Sequence, residues 1–164
     1  MQGIIENIGY PGDPTAGAND PSALIAPGTI VTLTDGRQFK YVKFDDGVGN
    51  VAAVAKTACY NKTADGTTVT SDQSDGIGAS INHVAGFFMN VPTDLRFTWI
   101  QIRGVLLAAP APASTAQGDA LIGSTTDVTL GRVAANTAPT NKVAAWALTA
   151  VAANVSDVYV VVGG

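Results

Sequence analysis

The side chains that could do chemistry in this chain are mostly carboxylates, since thirteen acidic residues stand beside one histidine and one cysteine. A general acid and base require two carboxylates held close enough to push their pKa values apart. Several aspartates instead directly precede a glycine, where an aspartate bonds its own backbone and favours a tight turn. These turn aspartates are Asp35, Asp46, Asp65 and Asp75. The spacing therefore predicts turns rather than an acid and base pair.

The remaining reactive groups form no catalytic or metal-binding pattern. His83 is the only histidine, which excludes a site built on two histidine ligands. Cys59 lies in an alanine-rich stretch and is expected to be a small buried hydrophobe. The run 72–76 lacks the alternating oxygen ligands and the late glutamate of a calcium loop. We therefore predict no catalytic residue, no metal, no cofactor and a protein that is not an enzyme.

Composition points to a protein that works in contact with other proteins. The 164 residues suffice for one domain with a real core, and only 13% are charged while 46% are hydrophobic. A surface with so few charges is typical of one that is largely covered in an assembly. The net charge of −4 and the dispersed basic residues predict no nucleic-acid binding. No apolar run approaches the roughly 20 residues of a membrane span, which predicts no membrane partner.

From residue 28 onward, short β-rich runs alternate with turn signals. The Asp35-Gly36 pair predicts a hairpin between the first two strands. Clean alternation over 96–103, with apolar groups on both faces, predicts the strand at the centre of the core. The run 143–151 also fits one face of a helix, although its β-branched neighbours favour a strand. The predicted strands are 29–33, 37–44, 51–59, 67–70, 83–91, 96–103, 105–107, 119–122, 128–134, 143–151 and 157–162.

These runs predict an all-β fold in which residues 28–164 form a compact barrel-like or sandwich-like body. The stretch at about 109–118 is rich in proline and alanine and predicts an extended loop. No α-helical element is required by the pattern.

Residues 1–27 predict an extended N-terminal arm, because prolines and turn residues interrupt any regular element. A merely solvated tail would hold more charge and fewer large apolar groups. Fully extended, the arm could span roughly 90 Å. We predict that its first part makes the contact and that 11–27 mainly supplies reach, either to a partner or back to the body. The candidate contact residues are Ile4, Ile5, Ile8, Tyr10, Leu24 and Ile25.

Glycines and short strand-forming runs recur in a characteristic pattern along nearly the whole chain. They lie at 7–14, 27–31, 39–44, 69–76, 118–124 and 131–134. In these segments the chain resembles the head decoration proteins, or cement proteins, of tailed bacteriophages, which are encoded beside the major capsid protein. The resemblance lies in this pattern of glycines and strand-forming runs and includes no functional motif.

The resemblance implies a β-rich structural virion protein that is made in the host cytoplasm and attaches to the capsid exterior. Such a protein bridges major capsid protein subunits and stabilises the shell against internal DNA pressure, without enzyme activity. Proteins of this kind also associate with copies of themselves, with a trimer favoured and a dimer left open. The alternative is a β-rich recognition module of a tail fibre or adhesin that binds a surface glycan, with Trp146 or Tyr60 at the floor of an aromatic groove.

Overall fold

The computed structural model describes residues 12–77, 84–139 and 141–162. Within these ranges the regular structure is almost entirely β-strand, apart from one 3₁₀ turn at Gln73–Asp75. This confirms the predicted all-β fold. The strands are β1 (Ile30–Thr32), β2 (Gln38–Phe44), β3 (Ala58–Asn61), β4 (Thr68–Thr70), β5 (Val84–Phe88), β6 (Phe97–Pro110), β7 (Ala120–Gly123), β8 (Leu130–Val133), β9 (Val143–Ala147) and β10 (Val155–Val160).

Five strands close into a barrel in the order β2, β4, β3, β5 and β6, because β6 also pairs with β2. The closing pair is antiparallel and sets Tyr41 opposite Trp99. The β2 and β4 pair is parallel, with Phe44 opposite Val69. Because the sheet closes on itself, every barrel strand is hydrogen-bonded to a neighbouring strand on each side, and the barrel has no free edge strand. β1 adds to the outside of this unit by pairing with β2.

The second half of β6 leaves the barrel and starts a second sheet, in the order β6, β10, β9, β7 and β8. The change occurs at Gly104, whose φ is +97°. A side chain there would place its Cβ 2.8 Å from Arg37 Cγ and 3.0 Å from Arg37 Cα. Only glycine combines that backbone angle with so close an approach. The 14-residue strand β6 therefore joins the barrel and the second sheet covalently and through hydrogen bonds.

The core has three parts that follow this architecture. The barrel interior holds Val42, Phe44, Cys59, Phe88 and Ile100, among others. A second cluster lies between the barrel wall and the second sheet, where Phe87 meets residues of β6, β7, β8, β9 and β10. The third lies on the outer barrel wall and consists of Ala18, Val31, Phe39, Tyr41 and Trp99. The fully buried Trp99 and Ile100 confirm that 96–103 runs through the centre of the core.

Several predicted elements differ from the structure, and the two predicted strands 96–103 and 105–107 form the single strand β6. The run 51–59 is a strand only from Ala58 onward, because Lys56 adopts a φ of +64° and the Thr57 hydroxyl donates to the Val54 carbonyl in a turn. The loop predicted at 109–118 begins later, since β6 continues to Pro110 by pairing with Val155. A partner strand far along the chain thus extends β6 into a segment whose local composition favours a loop. The ambiguous run 143–151 is a strand over Val143–Ala147.

Candidate functional site

The predicted contact residues do not form one described site. Ile4, Ile5, Ile8 and Tyr10 lie outside the described residues. Leu24 is 60% exposed, whereas Ile25 is half-buried and packs against the cluster of the outer barrel wall. Leu24 is therefore available to a partner, and Ile25 contributes to the fold of this chain.

Residues 12–27 lie on the barrel of their own chain. Asp20 and Phe97 exchange both backbone hydrogen bonds, each at 2.9 Å. The Tyr41 hydroxyl donates to Asp20 Oδ2 at 2.6 Å. Burial raises the pKa of that hydroxyl, and its hydrogen bond to Asp20 raises the pKa further. The phenol therefore stays protonated and keeps donating across the ordinary pH range.

A second set of contacts holds the chain just before Asp20. Asn90 Nδ2 donates to the Ala18 carbonyl at 2.9 Å, and its Oδ1 accepts from the Thr98 hydroxyl. Gly17 has a φ of +79°, and a Cβ there would lie 2.5 Å from Asn90 Cγ. Asn90 cannot easily move aside, because both ends of its amide are bonded. We call the contacts of Ala18 and Asp20 with the barrel the arm clamp.

The arm clamp differs from the prediction that the second part of the arm mainly supplies reach. Residues 12–27 carry few strand-forming runs, but Ala18 is buried against Tyr41 and Trp99, whose rings lie 5.0 Å apart. Little regular secondary structure holds this segment in place. Burial of the Ala18 side chain and the backbone hydrogen bonds between Asp20 and Phe97 hold it instead. The segment consists of turns and bends around one bridge at Asp20 and is attached to the body.

Removal of the Tyr41 hydroxyl tests the arm clamp. We expect Tyr41→Phe to lower the free energy of unfolding by about 1–2 kcal/mol, because Asp20 loses a partly buried donor. Limited proteolysis within 12–27 should become faster in the same variant. Tyr159→Phe is the matched control, since the Tyr159 hydroxyl has no hydrogen bond to the described residues. Equal stability and proteolysis in both variants would contradict the arm clamp.

The outer face of the second sheet carries an exposed apolar surface. Val105, Tyr159 and Trp146 form one row across β6, β10 and β9, since Tyr159 pairs with both of the others. Trp146 is 42% exposed, Leu107 lies two residues after Val105 on β6, and Leu148 directly follows the end of β9. We call these five residues the Trp146 face. In the sequence, Trp146 stands out only as an aromatic residue. Its exposure depends on which strands lie beside β9 in the sheet.

A β-bulge between β6 and β10 sets the exposure of Leu107. The register shifts between Ser156 and Val158, so that Leu107 and Ala108 together oppose Asp157. Ala108 has a φ of +52°, and its N–H donates to Asp157 Oδ1 at 2.9 Å. Bulges of this kind redirect the side chains beside them. Leu107 is 61% exposed as a result, which is high for a leucine within a paired strand.

Several aspartates connect the loops of the barrel. Asp72 Oδ2 accepts from the Gly49 N–H, and Asp75 Oδ2 accepts from the Val48 N–H. The Lys62 ammonium lies 2.6 Å from Asp45 and 3.0 Å from Asp75. Although burial opposes it, these two carboxylates raise the pKa of Lys62. The turn chemistry expected of Asp75 is thus extended to contacts between loops.

Three carboxylates of the barrel loops come together and could offer oxygen ligands to a cation. They belong to Asp45, Asp46 and Asp94. Burial and the neighbouring carboxylates of Asp94 and Asp45 raise the pKa of Asp46. The Asp46 N–H donates to Asp94 Oδ1, and Lys62 partly neutralises Asp45. The group therefore has a structural explanation in loop pairing.

The other reactive groups are placed as follows. Cys59 is fully buried, donates its thiol to the Gly86 carbonyl, and has its pKa raised by burial. This confirms the expectation of a small buried hydrophobe. His83 lies outside the described residues. Tyr60 is fully buried, so the prediction that it could form the floor of an aromatic groove is wrong.

Comparison of this chain with known proteins finds no relative. No protein-family model, no curated protein and no solved structure matches this chain. Among the described residues there is no helix long and apolar enough to cross a membrane.

Proposed function

We propose that this chain is a structural virion protein that decorates the outer surface of a phage capsid and stabilises the shell. Its partners are the major capsid protein, whose subunits it bridges, and copies of itself. The proposal draws on the resemblance to cement proteins, the sparse charge of the chain and its exposed apolar groups. Such a protein acts through contacts alone and is made in the host cytoplasm.

The observation that carries the proposal is the arm clamp. It attaches the arm to a rigid barrel at Ala18 and Asp20, so the chain before residue 12 starts from a fixed place. Eleven residues span at most about 36 Å when fully extended, a distance that reaches an adjacent subunit of a lattice. Ile4, Ile5, Ile8 and Tyr10 supply the apolar contacts. A chain segment that becomes extended on binding can add a strand to the sheet edge of a neighbour.

Weak contacts suffice for this role. A protein that binds the assembled shell, but not its dissociated subunits, stabilises the assembly by mass action. The effect is repeated at every copy on the lattice. A second contact from the same copy acts at high effective concentration, which raises the overall affinity without any new chemistry. A contact of the arm with one subunit and a contact of the body with its neighbour would thereby bridge the two subunits.

Deletion of residues 1–11 tests the role of the arm. We expect the shortened chain to lose co-sedimentation with undecorated shells of its phage and to leave them heat-labile, while its own unfolding midpoint stays unchanged. The matched full-length control replaces Ile4, Ile5, Ile8 and Tyr10 with serine and should behave in the same way. Undiminished binding and shell stability would overturn the role of the arm.

A glycan-binding recognition module is the second candidate, favoured by the half-exposed Trp146 beside Tyr159. Aromatic rings on a flat sheet can stack on sugar rings. The two candidates differ for the isolated protein, because only the second gives a glycan-array signal that Trp146→Ala removes. Absence of signal would count against the module.

A further inference from the structure

Two peptide bonds of the arm join an aspartate to a proline, at Asp13-Pro14 and at Asp20-Pro21. The carboxylate of such an aspartate can attack its own carbonyl carbon, because the product is a five-membered cyclic anhydride. Proline favours this reaction, since its nitrogen carries no N–H in the chain and leaves as a basic secondary amine. The two bonds have the same chemistry, so a difference between their rates must come from the structure around them.

Asp13 lies in an exposed turn that keeps its carboxylate beside the bond to Pro14. Its Oδ1 accepts the Thr15 N–H at 2.8 Å and the Thr15 hydroxyl at 2.7 Å. This arrangement is an Asx turn, and the ring that the hydrogen bond closes contains the Asp13–Pro14 bond. Both donors bind the same oxygen, so Oδ2 has no hydrogen bond within the described part of the chain. The carboxylate is therefore close to the carbonyl carbon and has a free oxygen.

Asp20 is restrained by the arm clamp instead. Its Oδ2 accepts the Tyr41 hydroxyl at 2.6 Å, and its N–H and carbonyl both pair with Phe97. Attack by the Asp20 carboxylate on its own carbonyl carbon requires the side chain to leave Tyr41. It also requires the backbone to bend out of its pairing with Phe97, because the attacked carbon becomes tetrahedral. The Asp20–Pro21 bond can therefore react only after this part of the arm has opened locally.

The carbonyl groups of the two aspartates differ little. The Asp13 carbonyl accepts the Ala16 N–H at 3.0 Å, and the Asp20 carbonyl accepts the Phe97 N–H at 2.9 Å. Each carbonyl oxygen thus has one N–H that stabilises the charge it gains during the attack. Neither carboxylate forms an ion pair with the described residues. The difference between the two bonds lies in the freedom of the carboxylate and of the backbone.

We propose that the folded chain cleaves itself at the Asp13–Pro14 bond in acid. A carboxylate oxygen of Asp13 forms a bond to the Asp13 carbonyl carbon, and the bond from that carbon to the Pro14 nitrogen breaks. The nitrogen takes a proton from the solution and becomes the amino terminus of the fragment 14–164. One water molecule then opens the anhydride, which leaves the fragment 1–13 with a free aspartate at its end. No atom changes its oxidation state, and water is the only co-reactant.

Cleavage at this bond separates the first part of the arm from the arm clamp. The candidate contact residues between 4 and 10 lie before the bond, whereas Ala18 and Asp20 lie after it. The fragment 14–164 therefore keeps the clamp and the barrel and loses those contacts. The cleavage itself does not rest on the proposed function. Its consequence does, since only a protein that grips a shell through residues 1–11 would be released from the shell in acid.

Mass spectrometry of the full chain kept at about pH 4, near the ordinary pKa of an aspartate, measures the cleavage. While the protein is folded, we expect cleavage after Asp13 to be at least about tenfold faster than cleavage after Asp20. In urea, where the arm clamp is lost, the two bonds should break at similar rates. Asp13→Glu is the matched control, because it keeps the charge but would have to form a six-membered ring. It should abolish the first cleavage and leave the second unchanged.

Tyr41→Phe tests the protection of the second bond. It should speed cleavage after Asp20 about threefold in the folded protein and leave cleavage after Asp13 unchanged. An intact chain at this pH, equal rates at the two bonds of the folded protein, or undiminished release of 1–13 from Asp13→Glu would each overturn the proposal. Undiminished shell binding after deletion of 1–11 would overturn the role of the arm and leave the cleavage unaffected, so the two proposals can fail separately.

Discussion

We expect Phe87→Ala to lower the free energy of unfolding by about 4 kcal/mol. Phe87 is fully buried, and its ring points out of the barrel into the cluster shared with the second sheet. Loss of the ring removes apolar contacts and leaves a cavity between the barrel wall and the second sheet. Because these two layers share β6, they cannot readily move together to fill it. Urea denaturation followed by tryptophan fluorescence measures the change.

The same experiment tests whether the barrel and the second sheet unfold together. Trp99 reports on the barrel and Trp146 on the second sheet, so one shared transition indicates a single cooperative unit. The matched control Val91→Ala truncates a 58% exposed side chain and should change stability by less than about 0.5 kcal/mol. A loss below about 1 kcal/mol for Phe87→Ala would show that the cluster does not couple the two parts.

The second large effect is expected at Asp119, a carboxylate that is only 1% exposed. Its Oδ2 accepts from Arg132 Nε and from the Ala116 N–H, and its Oδ1 accepts from the Ala135 N–H at 2.7 Å. This single carboxylate joins the loop before β7 to the end of β8. We expect Asp119→Asn to lower the free energy of unfolding by about 3 kcal/mol, since it removes the charge and leaves Arg132 without its ion pair.

The Asp119 contribution should also depend on pH. The Arg132 hydrogen bond and the N–H groups of Ala116 and Ala135 lower the pKa of Asp119 from its ordinary value of 3.8. A group whose folded pKa lies below its unfolded pKa stabilises the fold above the unfolded value, and this stabilisation is lost as pH falls through the folded pKa. The stability difference between the native chain and Asp119→Asn should therefore be full at pH 7 and shrink below pH 3.8.

Denaturation of both proteins at several pH values between 7 and about 2.5 checks this result. Comparison of the pair is necessary, because Asp35, Asp45, Asp65 and Asp72 also have lowered pKa values. Their contributions are common to both proteins and cancel in the difference. A difference that stays constant down to the lowest pH would mean that Asp119 does not act through its charge.

Local signals in the sequence predict the strands well where a turn or an alternation is self-contained. The Asp35-Gly36 turn joins β1 and β2 as predicted, with Gly36 at a φ of +83°. The alternating run around Trp99 is confirmed at the centre of the core. Prediction is poorer where distant pairing decides the outcome. β6 runs on to Pro110 because Val155, 45 positions later in the chain, pairs with it.

The candidate surfaces are less predictable than the strands for the same reason. Trp99 and Trp146 both lie in apolar strand-forming runs, yet Trp99 is fully buried and Trp146 is 42% exposed. The difference comes from what lies over each ring. The arm packs near Trp99, whereas no described segment covers Trp146. No residue within a few positions of either tryptophan indicates this difference in exposure.

Composition and short-range patterns are enough to predict that the chain is all-β, that several of its aspartates lie in turns, and that its surface is poor in charge. These properties depend on neighbours a few positions apart and on composition. Three further features depend on the folded arrangement of the whole chain: β2 and β6 close a barrel, Ala18 and Asp20 attach the arm to it, and the Trp146 face stays open. The reason is physical, since the atoms that settle these outcomes come from segments far apart in the chain, such as Ala18 and Asn90, which are 72 positions apart.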